Sequence, residues 1–209
     1  NESIYIQKEG VSHIIPCLRQ QVQKKGSEAC YYSLSDFIMP ADTQKTDYIG
    51  VFTVTAGKEI ENRIEYYKQQ DDNYNALLLQ SLADRIAEAA TELLHYRVRK
   101  EIWGYSPNET ATVESLLKEH YQGIRPAIGY PSLPDQSLAF DIDKLLGFDR
   151  IDVSLTENGA MKPNSTVSGI MIAHPQSAYF HIGQIDMEQR AEYCKKRNFS
   201  IEDSYKWLS

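Results

Sequence analysis

From Asp71 to Trp103 the chain carries neither glycine nor proline. Nothing else in the sequence constrains the fold as much. Such a stretch has no ready place to turn, so it predicts a long helix. Leu78, Leu82, Ile86, Ala89 or Ala90, Leu93 and Val98 recur at three-to-five-residue steps, as an apolar helix face does. The alanines among residues 87–90 point to close packing inside a domain rather than to a coiled coil. The stretch is long for a globular helix, so a break within it is expected.

Around that helix the pattern is mixed. Tyr48–Thr55, IDVSLT at 151–156, STVSGIMIA at 165–173 and AYFHIGQI at 178–185 read as strands, being β-branched and aromatic. His174–Ser177 has the length of a hairpin turn between the last two. Further helices are expected at 112–122, ending at Gly123, and at 137–146, ending at Gly147. Two more close the chain, with cap signatures at Asp186 and Ser200. Residues 1–30 are weakly patterned and read as a frayed helix or linker remnant, which leaves 31–209 as the domain. Segregated strands and helices with a tight turn predict an antiparallel α+β fold.

Charge and composition exclude several classes. The net charge is −7, from 29 acids against 22 bases. The clustered Lys and Arg that nucleic-acid phosphates require are absent. The short run Arg97, Arg99, Lys100 reads as a solvated helix face. No apolar run is long enough to span a bilayer, and no signal peptide is recognisable. Three cysteines without CxxC spacing fit free thiols in a reducing cytoplasm. The chain starts at Asn, so it reads as a piece of a longer or processed protein.

No catalytic motif is recognisable. The five histidines form neither HExxH nor HxH, so no metal site is expected, and GxSxG and glycine-rich phosphate loops are missing. His174 and His181 read as structural. The informative segment is GIRPAIGYPSLPD, with prolines at 126, 131 and 134. It is too proline-rich for helix or central strand and predicts a stiff, ordered loop. Stiff loops present side chains at low entropic cost. Arg125 suits bidentate capture of a carboxylate, or a structural ion pair. Tyr130, between Gly129 and Pro131, is either a fixed ligand contact or a core ring. Glu88, flanked by alanines, and Glu119, ahead of the loop, are candidates to hold a cation, or solvated helix acids.

The segments DYIGVFTVT, DDNYNALLLQSLADRIAEAATELLHYRVRKEIWGY, YQGIRPAIGYPSLPD and LTENGAMKPNSTVSGIMIAHPQSAYFHIGQI occur in that order. Together they resemble the C-terminal activation domain of cobalamin-dependent methionine synthase, from about Tyr31 onward. The resemblance implies a bent antiparallel β-sheet flanked by helices, with S-adenosylmethionine in a shallow groove. It implies part of a methyltransferase, cytoplasmic, with no turnover of its own. The domain would present the ligand's methyl group to cob(II)alamin, which a separate or fused cobalamin-binding module holds. Flavodoxin or a related reductase would supply one electron.

Carried over by residue, Arg125 would bind the ligand's carboxylate, and Pro126 and Ala127 would supply backbone contacts. Tyr130 would approach the reacting methyl, as the catalytic contact. Tyr179 and Phe180 would touch the ligand, and Glu88 and Glu119 would lie near its charged groups. Asp84 would contact the cobalamin module. The chain departs from the family at Leu133–Gln136, where LPDQ replaces CPDH or CPEH and keeps the acid as Asp135. The family's further N-terminal stretch, whose Asp helps hold the ligand's amine, is not recognisable in residues 1–30. These departures motivate an alternative reading, a ligand-free docking or regulatory module for a corrinoid protein.

Overall fold

The computed structural model describes residues 2–22, 30–43 and 45–208. The chain opens with a β-hairpin, β1 (Ser3–Lys8) and β2 (Val11–Pro16), paired in antiparallel register from Ser3↔Pro16 to Lys8↔Val11. Its two-residue turn, Glu9–Gly10, has φ of 50° and 81°. That left-handed pair matches the twist of the flanking strands. Ile4, Ile15, Cys17 and Leu18 enter the main core. The segment expected as a frayed helix or linker remnant is therefore, where described, a packed part of the fold. The remainder of that expectation, residues 23–29, lies outside the described residues.

β3 (Gly50–Thr55) follows, then α1 (Lys58–Gln69), which the sequence reading did not anticipate. α2 (Asn73–Arg97) is the long helix. The Asp72 carboxylate caps it by accepting from the Asn75 amide at 3.1 Å. The expected break is a π-turn at Val98–Ile102. Its facing departs from expectation. Ala76, Ala83 and Ala87 are buried, whereas Leu78, Leu82 and Leu93 are each more than half exposed. Small residues let α2 approach the β3–β6 sheet closely, and the large apolar residues are left to solvent.

α3 (Val113–Leu117) is shorter than expected, because Glu119 takes φ of 54° and turns the chain. α4 (Leu138–Leu146) ends at Gly147 in the left-handed region. β4 (Ser154–Leu155) pairs with β5 (Met161–Lys162), so only two residues of the expected strand 151–156 are strand. β6 (Thr166–Met171) pairs antiparallel with β3, Val51 facing Ile170. α5 (Met187–Arg197) and α6 (Ile201–Trp207) start at the expected caps, Asp186 and Ser200. The α+β class holds, and every strand pairing among the described residues is antiparallel, in small two-stranded sheets.

Residues 178–185 do not return along β6 as a hairpin strand. They run extended between the proline loop and the end of the first hairpin. The Ile182 amide donates to the Pro131 carbonyl at 3.2 Å, and the Ile182 carbonyl accepts from the Gln21 amide at 2.6 Å. The alternating burial that suggested a strand is real: Phe180 and Ile182 are buried, Tyr179 and His181 are not.

The proline loop is stapled to β6. The Ile170 amide donates to the Pro126 carbonyl at 3.0 Å, and the Ile128 amide to the Ser168 carbonyl at 2.9 Å. Gly169 permits this approach: a Cβ there would sit 2.1 Å from the Pro126 oxygen. Gly169→Ala is therefore expected to cost about 1–3 kcal/mol through overpacking. It should also displace Pro126 and Ala127. Urea unfolding reads the loss as a lower midpoint at unchanged slope.

Candidate functional site

The far end of the proline loop is fixed by a buried network. The Asp135 carboxylate accepts from the Ser137 amide (2.8 Å), the Ser137 hydroxyl (2.6 Å) and the Tyr193 hydroxyl (2.7 Å). Arg197 lies beside it, its Nε 3.2 Å from Asp135 and its Nη1 2.6 Å from Asp141. The acid kept in LPDQ thus ties the loop to α5.

At the near end, Arg125 joins three elements. Its amide donates to the Tyr179 hydroxyl at 2.9 Å. Its Nη1 donates to the Tyr121 hydroxyl at 2.9 Å and lies 3.4 Å from His95 Nδ1. Its Nη2 pairs with Glu92 at 2.7 Å. Behind it lies a second arginine. Arg99 is fully buried, stacks 3.9 Å over the Tyr121 ring, and is gripped at two points by Glu109, both at 2.7 Å. Arg99 Nη1 and Glu92 Oε1 are 4.0 Å apart, and neither makes a hydrogen bond. Glu92 is thus held between two guanidinium groups. The solvated reading of the basic run 97–100 fails at Arg99.

His95 is buried between these charges. An arginine can only donate, so His95 Nδ1 accepts and Nε2 carries the proton, facing Tyr105 Oη at 3.3 Å. Burial, reinforced by the Arg99 and Arg125 charges, lowers its pKa to about 2. The unfolded chain takes up this proton near pH 6.5. Stability from neutral His95 is therefore complete above pH 6.5 and drains away as the pH falls below it. At pH 5 the loss is about 2 kcal/mol. His95→Asn should flatten that slope between pH 7 and 5 in denaturant titrations. An unchanged slope would contradict the assignment.

In front of Arg125 lies a groove of about 430 Å³. Arg125, Pro126, Ala127, Tyr130, Tyr179, Phe180, Glu88 and Glu119 all line it. Tyr130 is half exposed at its mouth, and Phe180 is mostly core, 6.1 Å from the Tyr32 ring. Glu88 is exposed and pairs with Arg85 at 3.0 Å. Burial pushes the Tyr179 hydroxyl well above its ordinary value, so it stays protonated. Asp84 is not among the lining residues. It accepts from Gln80 Nε2 (2.8 Å) and Ser165 Oγ (2.7 Å), which ties α2 to the start of β6.

Sequence reasoning missed Glu92, His95, Arg99, Glu109 and Tyr121. The signal was present along α2 and into the π-turn: Glu88, Glu92, His95 and Arg99 follow at helical steps. Among the described residues, no group of three or more His, Cys, Asp or Glu is arranged to hold a metal ion. Likewise no helix there is long and apolar enough to cross a membrane.

The groove suits a zwitterionic ligand. Arg125 complements a carboxylate, Glu88 and Glu119 complement cationic groups, and Tyr179 offers a ring edge. A crystal structure of the MetH reactivation domain bound to AdoHcy matches this fold at a TM-score of 0.86 and 42% identity. The match covers 94% of this chain and 60% of that one, so this chain spans about three fifths of its relative's length. The sequence profile described as vitamin B12 dependent methionine synthase, activation domain, matches residues 1–198. This chain therefore belongs to the family of vitamin B12-dependent methionine synthase activation domains.

Proposed function

We propose that the groove binds S-adenosylmethionine and holds its methyl group toward a cobalamin carried by a partner module. The observation that carries this reading is the convergence of the eight expected ligand residues on one groove. Cobalamin, bound by that module and not by this domain, would take up the methyl group with one electron from reduced flavodoxin or a related reductase. The chain's own contribution is binding and orientation. Arg125 grips the ligand's carboxylate, which must share the guanidinium with Glu92 or displace it. The Pro126 and Ala127 backbone fixes the amino-acid moiety. Glu88 and Glu119 face the ammonium and sulfonium, and Tyr179 and Phe180 wall the groove. Tyr130, at the mouth, is the group nearest an arriving corrin. Methyl transfer moves no proton, which fits a groove whose Tyr179 hydroxyl, turned in toward the Arg125 amide, stays protonated.

The partner would meet the open side of the groove and the neighbouring face of α2. Exposed Leu78, Leu82 and Ile86 on α2 suit a protein surface, and Asp84, on another face of the helix, would add a polar contact to the cobalamin module. The reading places the protein in the cytoplasm, in reactivation of methionine synthase. The same exposed stripe on α2 is what favours the second reading, docking without ligand. A reconstitution with the cobalamin module, a reduced flavodoxin and methyl-labelled S-adenosylmethionine separates the two. Label on the corrin that depends on this chain is expected. Module binding with no response to S-adenosylmethionine would favour docking alone.

A further inference from the structure

Among the described residues no strand pairs with the outer edge of β3, and the bonding of β6 tells which backbone groups face that edge. Ile172 exchanges two 2.9 Å hydrogen bonds with Ile124, and the Ile170 amide donates to Pro126. Even-numbered residues of β6 thus point to the proline loop, and Val167, Gly169 and Met171 point to β3. Their register partners are Val54, Phe52 and Gly50. Successive residues of a strand alternate sides. Val51 and Thr53 therefore turn their N–H and C=O groups away from β6, and no hydrogen bond among the described residues takes them up.

Exposed edges are normally covered, shortened or charged. This one lies in an apolar groove of about 720 Å³. Ile102 of the π-turn and Trp103 just after it line it, with Phe148 and Ile151 beyond α4. Arg150 is the charged side chain in the lining, and no ion pair among the described residues engages it. A recessed edge suits one strand rather than the sheet of a second copy.

We propose that this groove seats one extended segment of a partner protein, apolar at alternate positions and carrying a carboxylate, which adds a strand to β3. Its backbone pairs with Val51 and Thr53, alternate apolar side chains fill the groove, and a carboxylate meets Arg150. The site is separate from the Arg125 groove, so its test does not depend on ligand binding there.

The probe is the synthetic peptide acetyl-Glu-Val-Thr-Val-Thr-Val-amide, titrated into the full chain with amide hydrogen exchange read at residues 49–54. In the chain alone, the Val51 and Thr53 amides are expected to exchange about 100-fold faster than those of Phe52 and Val54. Saturating peptide should slow Val51 and Thr53 by about ten-fold or more. A peptide with Lys in place of Glu should bind about ten-fold more weakly, and Arg150→Glu should reverse that preference. Val51→Pro removes an outward N–H while sparing the β3–β6 ladder, and should also weaken binding. Any one of these results overturns the proposal: Val51 and Thr53 amides already protected in dilute chain, no saturable binding of the Glu peptide to folded protein, or protection that appears only outside residues 49–54. Protection that instead grows with protein concentration would assign the edge to a second copy, which also overturns it.

Discussion

Arg125→Ala is expected to weaken S-adenosylmethionine binding about thirty-fold or more, the equivalent of about 2 kcal/mol for charged hydrogen bonds to a carboxylate. The effect is directional. Arg125 supplies the donors that face the groove at the point where Glu92 and Tyr121 hold its guanidinium. The variant leaves Glu92 without its 2.7 Å partner, but Arg99 Nη1 lies 4.0 Å away with a free donor. Glu92 can therefore turn to Arg99, and the fold should survive. Arg125→Lys keeps the charge but loses the planar fork, and should recover only part of the affinity. Calorimetry on folded variants checks the order: wild type, then Lys, then Ala. An Ala variant that stays folded and binds as tightly as wild type would remove Arg125 from the site.

Glu109→Gln is expected to give the largest loss of stability, about 3–5 kcal/mol, because it breaks a buried ion pair from one side. Arg99 is fully buried and its two-point grip on Glu109 neutralises it. Without that carboxylate, Glu92 is the remaining acid within reach of Arg99. It can satisfy Arg99 only by leaving Arg125. Glu109→Gln should therefore lower the urea midpoint and, where the chain still folds, alter ligand affinity from a position outside the groove. The matched double variant Arg99→Met with Glu109→Leu, which removes both charges, should recover much of the stability. No recovery in the double variant would mean that packing, not charge, sets the cost.

Much of the fold was legible because local signals agreed with the tertiary outcome. The caps at Asp186 and Ser200, the glycine stop at Gly147 and the β-branched run of β3 all appear where the sequence put them. The failures have physical causes. The first hairpin was missed because its turn is Glu9–Gly10, not the usual Asn-Gly or Asp-Gly, although SIYIQK alternates as a strand should. The segment 178–185 keeps a strand's alternation but finds its partners in Pro131 and Gln21, a choice that only long-range packing makes. α2 misled in its facing. Periodicity locates an apolar stripe but does not say whether it faces core or solvent, and here alanines hold the inside. The groove was legible through the stiff loop and its family motifs. The shell that holds Arg125 was not, because Arg99 sits in a basic run that reads as a solvated face and Glu92 belongs to no motif.

The most direct measurement is a calorimetric titration of the 209-residue chain with S-adenosylmethionine, with S-adenosylhomocysteine as competitor. The expected result is saturable binding at one site, displaced by S-adenosylhomocysteine and lost in Arg125→Ala. A chain shown to be folded that takes up neither ligand would contradict the account of the groove.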